Sequence, residues 1–233
     1  MRFKKIFFIV LFLGLTFLGF RINFSKIIGS ENQYFTLYQF LFPIAGGFLG
    51  TIWGILVVIF ANLFNILFLN YNLNLLSILR ILPSILAVFY FSKLNKYKKF
   101  ENLKLIIPLI AILLFWIHPI GKKVWYYPLY WVIPIICRLP KIKNNLFAKS
   151  LGSTFTAHSI GSIIWLYTVD MKAIVFKSLI LVVAYERLIF ASGIFISYIL
   201  VKKLFWLGEK LDILVNKIFK FQDSKIQNLK QEV

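Results

Sequence analysis

Apolar residues along this chain gather in seven runs, parted by short lysine-rich stretches: residues 6–20, 37–69, 75–92, 103–117, 124–137, 146–167 and 178–201. A helix that crosses a bilayer core needs about twenty apolar residues. The runs therefore predict an all-α fold, a polytopic transmembrane bundle of six to seven spans. The second run, at 1.5 Å per residue, overshoots a bilayer if straight. It is expected to bend near Pro43 and Gly46-Gly47, or else to hide two short helices. The fifth run contains Pro128 and Pro134 and is expected to be distorted or partly re-entrant.

Beyond Lys203 the pattern changes. Leu207, Leu211, Leu214, Ile218 and Phe221 recur every three or four residues, with Lys210, Lys217 and Lys220 elsewhere around the helix. An apolar stripe among lysines predicts an amphipathic helix lying on a membrane surface or on a partner. From Gln222 the segment is polar and expected to fray. The expected division is a transmembrane domain over 1–203 and a cytoplasmic amphipathic helix with a polar tail over 204–233.

The loops set orientation. Lys93, Lys96, Lys98, Lys99 and Lys104 part the third and fourth runs, Arg138, Lys141, Lys143 and Lys149 the fifth and sixth, and Lys202-Lys203 follow the seventh. The positive-inside rule places all three, and with them the C-terminus, on the cytoplasmic side of the cell membrane. Arg2, Lys4 and Lys5 argue for the same side at the N-terminus, which seven single crossings forbid. Six crossings, with the first two runs giving one crossing and one interfacial or re-entrant piece, remove the conflict; Glu31 falls in the polar stretch between them. Arg21 follows the first run with no small-x-small cleavage pattern, so a retained helix is expected rather than a signal peptide.

Composition agrees. Hydrophobic residues make up 60% of the chain and charged ones 15%, against about a quarter charged in soluble domains. The net charge of +19 comes from lysines placed between apolar runs. There they read as topology signals beside anionic headgroups, and no nucleic-acid partner is expected. The partners expected are the lipid bilayer and a small molecule. A single cysteine, Cys137, excludes an internal disulfide. Two histidines, one cysteine and one acid inside an apolar run do not readily assemble a metal site, which needs three or four ligands. HExxH, GxSxG and P-loop signatures are absent, so no metal or cofactor is expected. A nucleophilic pair of Cys137 with His118 or His158 rests on inventory alone.

Two segments carry candidate chemistry. In the sixth run, Thr154, His158 and Ser162 are spaced by four and share a helix face, while Gly152, Thr156 and Ser159 form an adjoining strip. Small residues let helices approach closely, and hydroxyls can bond to carbonyls of their own helix. His158 fits that reading less well, because a buried imidazole needs partners for both nitrogens. In the seventh run, Glu186 is the one acid within any apolar run, beside Arg187. Neighbours on a helix point about 100° apart, so the two are expected to face different partners. Those are His158 for Glu186 and a carbonyl or a substrate anion for Arg187, with Arg80 as an alternative partner for Glu186. Counting the three charges leaves one positive, which suits an anionic or carbonyl-rich ligand. A structural ion pair between the third and seventh runs is the competing account. Trp125, Tyr126, Tyr127, Tyr130 and Trp131, near His118-Pro119, read as an interfacial girdle or as the wall of a site for a planar ligand.

The segment Phe42-Pro-Ile-Ala-Gly-Gly-Phe-Leu-Gly50-Thr-Ile-Trp-Gly54 resembles the proline- and glycine-spaced second helix of the substrate-binding S components of energy-coupling factor transporters. That resemblance implies about six helices, no enzymatic groups, and work alongside an ATPase and a coupling membrane subunit. The first helix lacks the Ala-x-x-x-Ala docking pattern. The leading expectation is a small-molecule binding or transport component whose pocket uses Thr154, His158, Ser162, Glu186, Arg187 and Arg80. A non-enzymatic membrane scaffold is the alternative, and an intramembrane enzyme using His158 and Glu186 is the third.

Overall fold

The computed structural model describes residues 2–26, 34–68, 75–93 and 98–231, with side chains over 5–26, 34–68, 75–93 and 100–210. Glu31 and Lys96 lie outside the described residues, as do the side chains of Arg2, Lys4, Lys98 and Lys99. Helix α1 (Arg2–Gly19) leads into a hairpin of β1 (Asn23–Lys26) and β2 (Tyr34–Thr36), antiparallel with Ser25 opposite Phe35. A 3-10 turn over Leu37–Phe40 enters α2 (Phe42–Leu49), followed by α3 (Thr51–Phe68), α4 (Leu75–Leu79) and α5 (Leu82–Phe91). Then come α6 (Leu103–Ile117), α7 (Pro119–Lys123), a 3-10 stretch over Tyr127–Val132, α8 (Ile133–Ile136), α9 (Leu146–Thr168) and α10 (Ala173–Gln231).

The molecule is thus mostly helical, with one small hairpin that the apolar pattern did not indicate. Among the described residues, three helices are long and apolar enough to cross a membrane: Thr51–Phe68, Phe100–Ile117 and Ala173–Lys210. Large apolar side chains such as Ile52, Trp53, Leu113 and Leu181 stand more than half exposed. In water so wide an apolar surface would drive association, whereas lipid tails solvate it.

The prolines explain where runs break. Pro43 sits in the first turn of α2, where its missing N–H costs nothing. The bend expected at Pro43 and Gly46-Gly47 falls instead at Gly50, whose φ of +79° favours a residue without Cβ. The second run is therefore two helices. Pro83 likewise opens α5 after a break at Arg80-Ile81. Pro128 and Pro134 start the 3-10 stretch and α8, so the fifth run is a tight, irregular descent.

By internal packing the chain divides into residues 1–195 and 196–233. The second unit is helical to Gln231. The stripe residues Leu211, Leu214, Ile218 and Phe221, with Lys217 and Lys220, have side chains outside the described set. In the first unit α5 and α9 make the most extensive helix pair. One core cluster gathers Phe115, Val124, Tyr127, Trp131, Phe155, Leu166, Phe176 and Val183.

One of the loop lysines is not in solvent. Lys104 is 1% exposed, and its Nζ donates to the Ser92 carbonyl at 2.6 Å and approaches Glu101 at 3.4 Å. Arg138 pairs with the same Glu101 carboxylate. These residues clamp the connection between α5 and α6 to the one between α8 and α9.

Candidate functional site

Helix α9 supplies the first wall. Its Asn145 cap accepts from Ala148 N–H, and the helix then runs unbroken past His158. Trp131 Nε1 donates to His158 Nδ1 at 3.1 Å, while Nε2 lies 3.1 Å from the Tyr127 hydroxyl and 3.4 Å from Ser162 Oγ. An indole N–H can only donate, so Nδ1 carries no proton and the neutral ring carries its proton on Nε2. His158 is therefore held as a fixed dipole. Its Nε2–H points at the oxygens of Tyr127 and Ser162.

Helix α10 supplies the second wall with Glu186 and Arg187, 8% and 2% exposed. The expectation that they face apart is corrected: Arg187 Nη2 approaches Glu186 Oε2 at 3.4 Å, since a long guanidinium can curl back to its neighbour. The other oxygen of Glu186 accepts from Ser25 Oγ of β1 at 2.5 Å, so Ser25 rather than His158 or Arg80 is its second partner. The Arg187 guanidinium carbon lies 4.9 Å from the ring centre of Phe35 and 4.3 Å from that of Phe190. Phe190 in turn packs against Phe24, Phe35 and Phe40. These aromatic contacts seat the hairpin on α10.

Between these walls lies a cavity of about 240 Å³. Five of the six residues singled out from sequence line it: Arg80, His158, Ser162, Glu186 and Arg187. Thr154 does not; it is 3% exposed and turned into the packed side of α9. Gly161, Trp165, Tyr127 and Phe176 complete the walls, while Tyr34, Phe35 and Gln39 enter from the hairpin and the turn after it. The Arg80 guanidinium lies 5.4 Å from the Trp165 ring centre. Among the described residues, two buried side-chain nitrogens, Nε of Arg80 and Nε of Arg187, have no hydrogen-bond partner.

The aromatic segment divides. Trp125 is 58% exposed, as a girdle residue would be, whereas Tyr127 and Trp131 are buried beside His158. Their spacing of four, each with a donor and close to prolines, was the available signal. Ser25 had none: it reaches Glu186 across 161 positions of chain. His118 caps α7 by accepting from Ile120 N–H, and Cys137 is buried. Among the described residues no group of three His, Cys, Asp or Glu is placed to hold a metal ion.

Over 203 residues, 80% of this chain and 67% of the relative, the sequence is 29% identical to the uncharacterized protein MJ0923 of Methanocaldococcus jannaschii. No family model matches the chain. No solved structure matches it either.

Proposed function

We propose that this chain is a multi-pass cell-membrane protein that binds a small molecule in the cavity between α9 and α10, as the binding or transport component of a larger system. The observation that carries the reading is a lined cavity holding two guanidinium nitrogens without partners, where among the described residues the other buried side-chain nitrogens and oxygens are bonded. A polar group in an apolar site costs free energy unless something answers it. A ligand is the simplest answer.

In this reading six or seven segments cross the bilayer, the C-terminus is cytoplasmic, and an ATPase with a coupling membrane subunit completes the transporter. The resemblance of the 42–54 segment to S components supports that part. The enzymatic alternative loses support because His158 has both nitrogens engaged and no hydrogen bond to Glu186.

Native mass spectrometry of the gently solubilised protein tests the reading. The wild type is expected to retain a small metabolite and the Gly161→Phe variant to lose it, because an aromatic side chain there enters the cavity. Retention by both, with equal occupancy, would place the ligand elsewhere. Copurification of an ATPase tests the transport role separately.

A further inference from the structure

We infer that the ligand is a small planar monoanion, its carboxylate or similar oxyanion held by Arg80 and Arg187 and its ring against Trp165, Tyr127 and Phe176. This rests on the binding reading above and adds the ligand's chemistry. Three independent features lead to it.

The first is hydrogen-bond polarity. Arg187 carries five N–H donors and, among the described residues, makes one hydrogen bond, at 3.4 Å. Arg80 has an unpartnered Nε. Because Nε2–H of His158 points at Tyr127 and Ser162, both hydroxyls serve it as acceptors; they also bond to each other, which leaves one hydroxyl proton free to donate. Among the described residues the one carboxylate of the wall, Glu186, already accepts from Ser25 and from Arg187. Gln39 and the Tyr34 hydroxyl, which also line the cavity, can each donate or accept. The wall therefore offers donors and asks for acceptors. An ammonium ligand would meet two guanidinium groups and an occupied carboxylate.

The second is charge. Arg80 and Arg187 against Glu186 leave one positive charge, which one carboxylate neutralises. The third is shape. An apolar cavity of about 150 Å³ holds a benzene ring, so about 240 Å³ accommodates a single or fused ring bearing a short acidic arm. Aromatic side chains on three elements give that ring flat surfaces to lie on.

Thermal melting of the full chain in detergent, with three matched probes, tests the assignment. Indole-3-carboxylate is expected to raise the melting temperature saturably. Indole-3-carboxamide should need at least about ten times the concentration, and 3-(aminomethyl)indole should give no shift. Arg80→Gln is expected to remove the preference for carboxylate over carboxamide, and Arg80→Lys, which keeps the charge, to retain part of it. A carboxamide or amine that matches the carboxylate overturns the anion assignment. If none of the probes shifts the melting while Gly161→Phe still expels the retained metabolite, the planar-anion inference falls and the cavity reading stands. If Gly161→Phe also leaves the retained mass unchanged, both fall.

Discussion

Toward α5, helix α9 uses small polar residues to close space. Ser153 Oγ donates to the Ala87 carbonyl, Thr156 and Ser159 bond to carbonyls of their own helix, and Gly152 lets the Tyr90 ring pass where a Cβ would stand 2.1 Å from its hydroxyl. Toward the cavity, the same helix uses residues of similar kind to leave space. Gly161 faces nothing nearer than Pro83 Cγ at 3.9 Å, and Ser162 and His158 line the cavity. Residue type does not separate a seam from a site here. Whether each donor has found an acceptor within the protein does.

The largest expected effect lies on the cavity side. Exchanging Glu186 for Gln leaves Arg187, 2% exposed, without a carboxylate. Stranding one member of a buried pair costs about 3 kcal/mol, read as a lowered melting temperature in detergent. The substitution also sharpens the comparison, since an anionic ligand would supply the missing charge. Indole-3-carboxylate should therefore raise the melting temperature of the variant more than that of the wild type. A larger gain in the wild type would mean that Glu186 assists binding rather than competing for Arg187.

Next comes the seam. Gly152→Ala puts a methyl group on the Tyr90 ring and threatens its 2.7 Å hydrogen bond to the Pro134 carbonyl. Forcing a methylene into a packed contact costs about 2 kcal/mol, and ligand affinity should not change beyond what the loss of folded protein explains. Ser153→Ala removes one bond to the Ala87 carbonyl. It is expected to cost about 1 kcal/mol, again measured by melting and again with affinity intact.

How much of this was legible beforehand follows from range. Arg80, His158, Ser162, Glu186 and Arg187 stood out because a charged or polar group inside an apolar run is expensive wherever the chain puts it. That argument needs no partner and survives ignorance of the fold. Thr154 was placed with them by helical spacing, but a helix face is wide, and the cavity takes in only the half of that strip nearer Ser162. Ser25 and the hairpin were illegible, since a short polar strand carries no apolar alternation and its contact with Glu186 depends on tertiary geometry. The bend at Gly50 was missed for a local reason. Pro43 drew the prediction to itself, yet a proline at a helix start bends nothing, while the positive φ that does the bending leaves no mark in hydropathy.

The smallest effect is the most discriminating. Gly161→Ala makes the same chemical change as Gly152→Ala on the same helix, nine positions later. Its Cβ meets only ordinary contact at 3.9 Å from Pro83 Cγ, so no neighbour has to move. Alanine also restricts the unfolded chain and favours the helix, worth about 0.5 kcal/mol of added stability. The methyl group projects toward the cavity, however, and takes room that a ligand would use. Opposite signs are thus expected for one substitution on the two sides of α9: lower melting with unchanged affinity at 152, and equal or higher melting with affinity weakened several-fold at 161. A lowered melting temperature at Gly161 without ligand would mean that the space beside it is closed in the folded protein, and the distinction between the seam and the cavity would go with it.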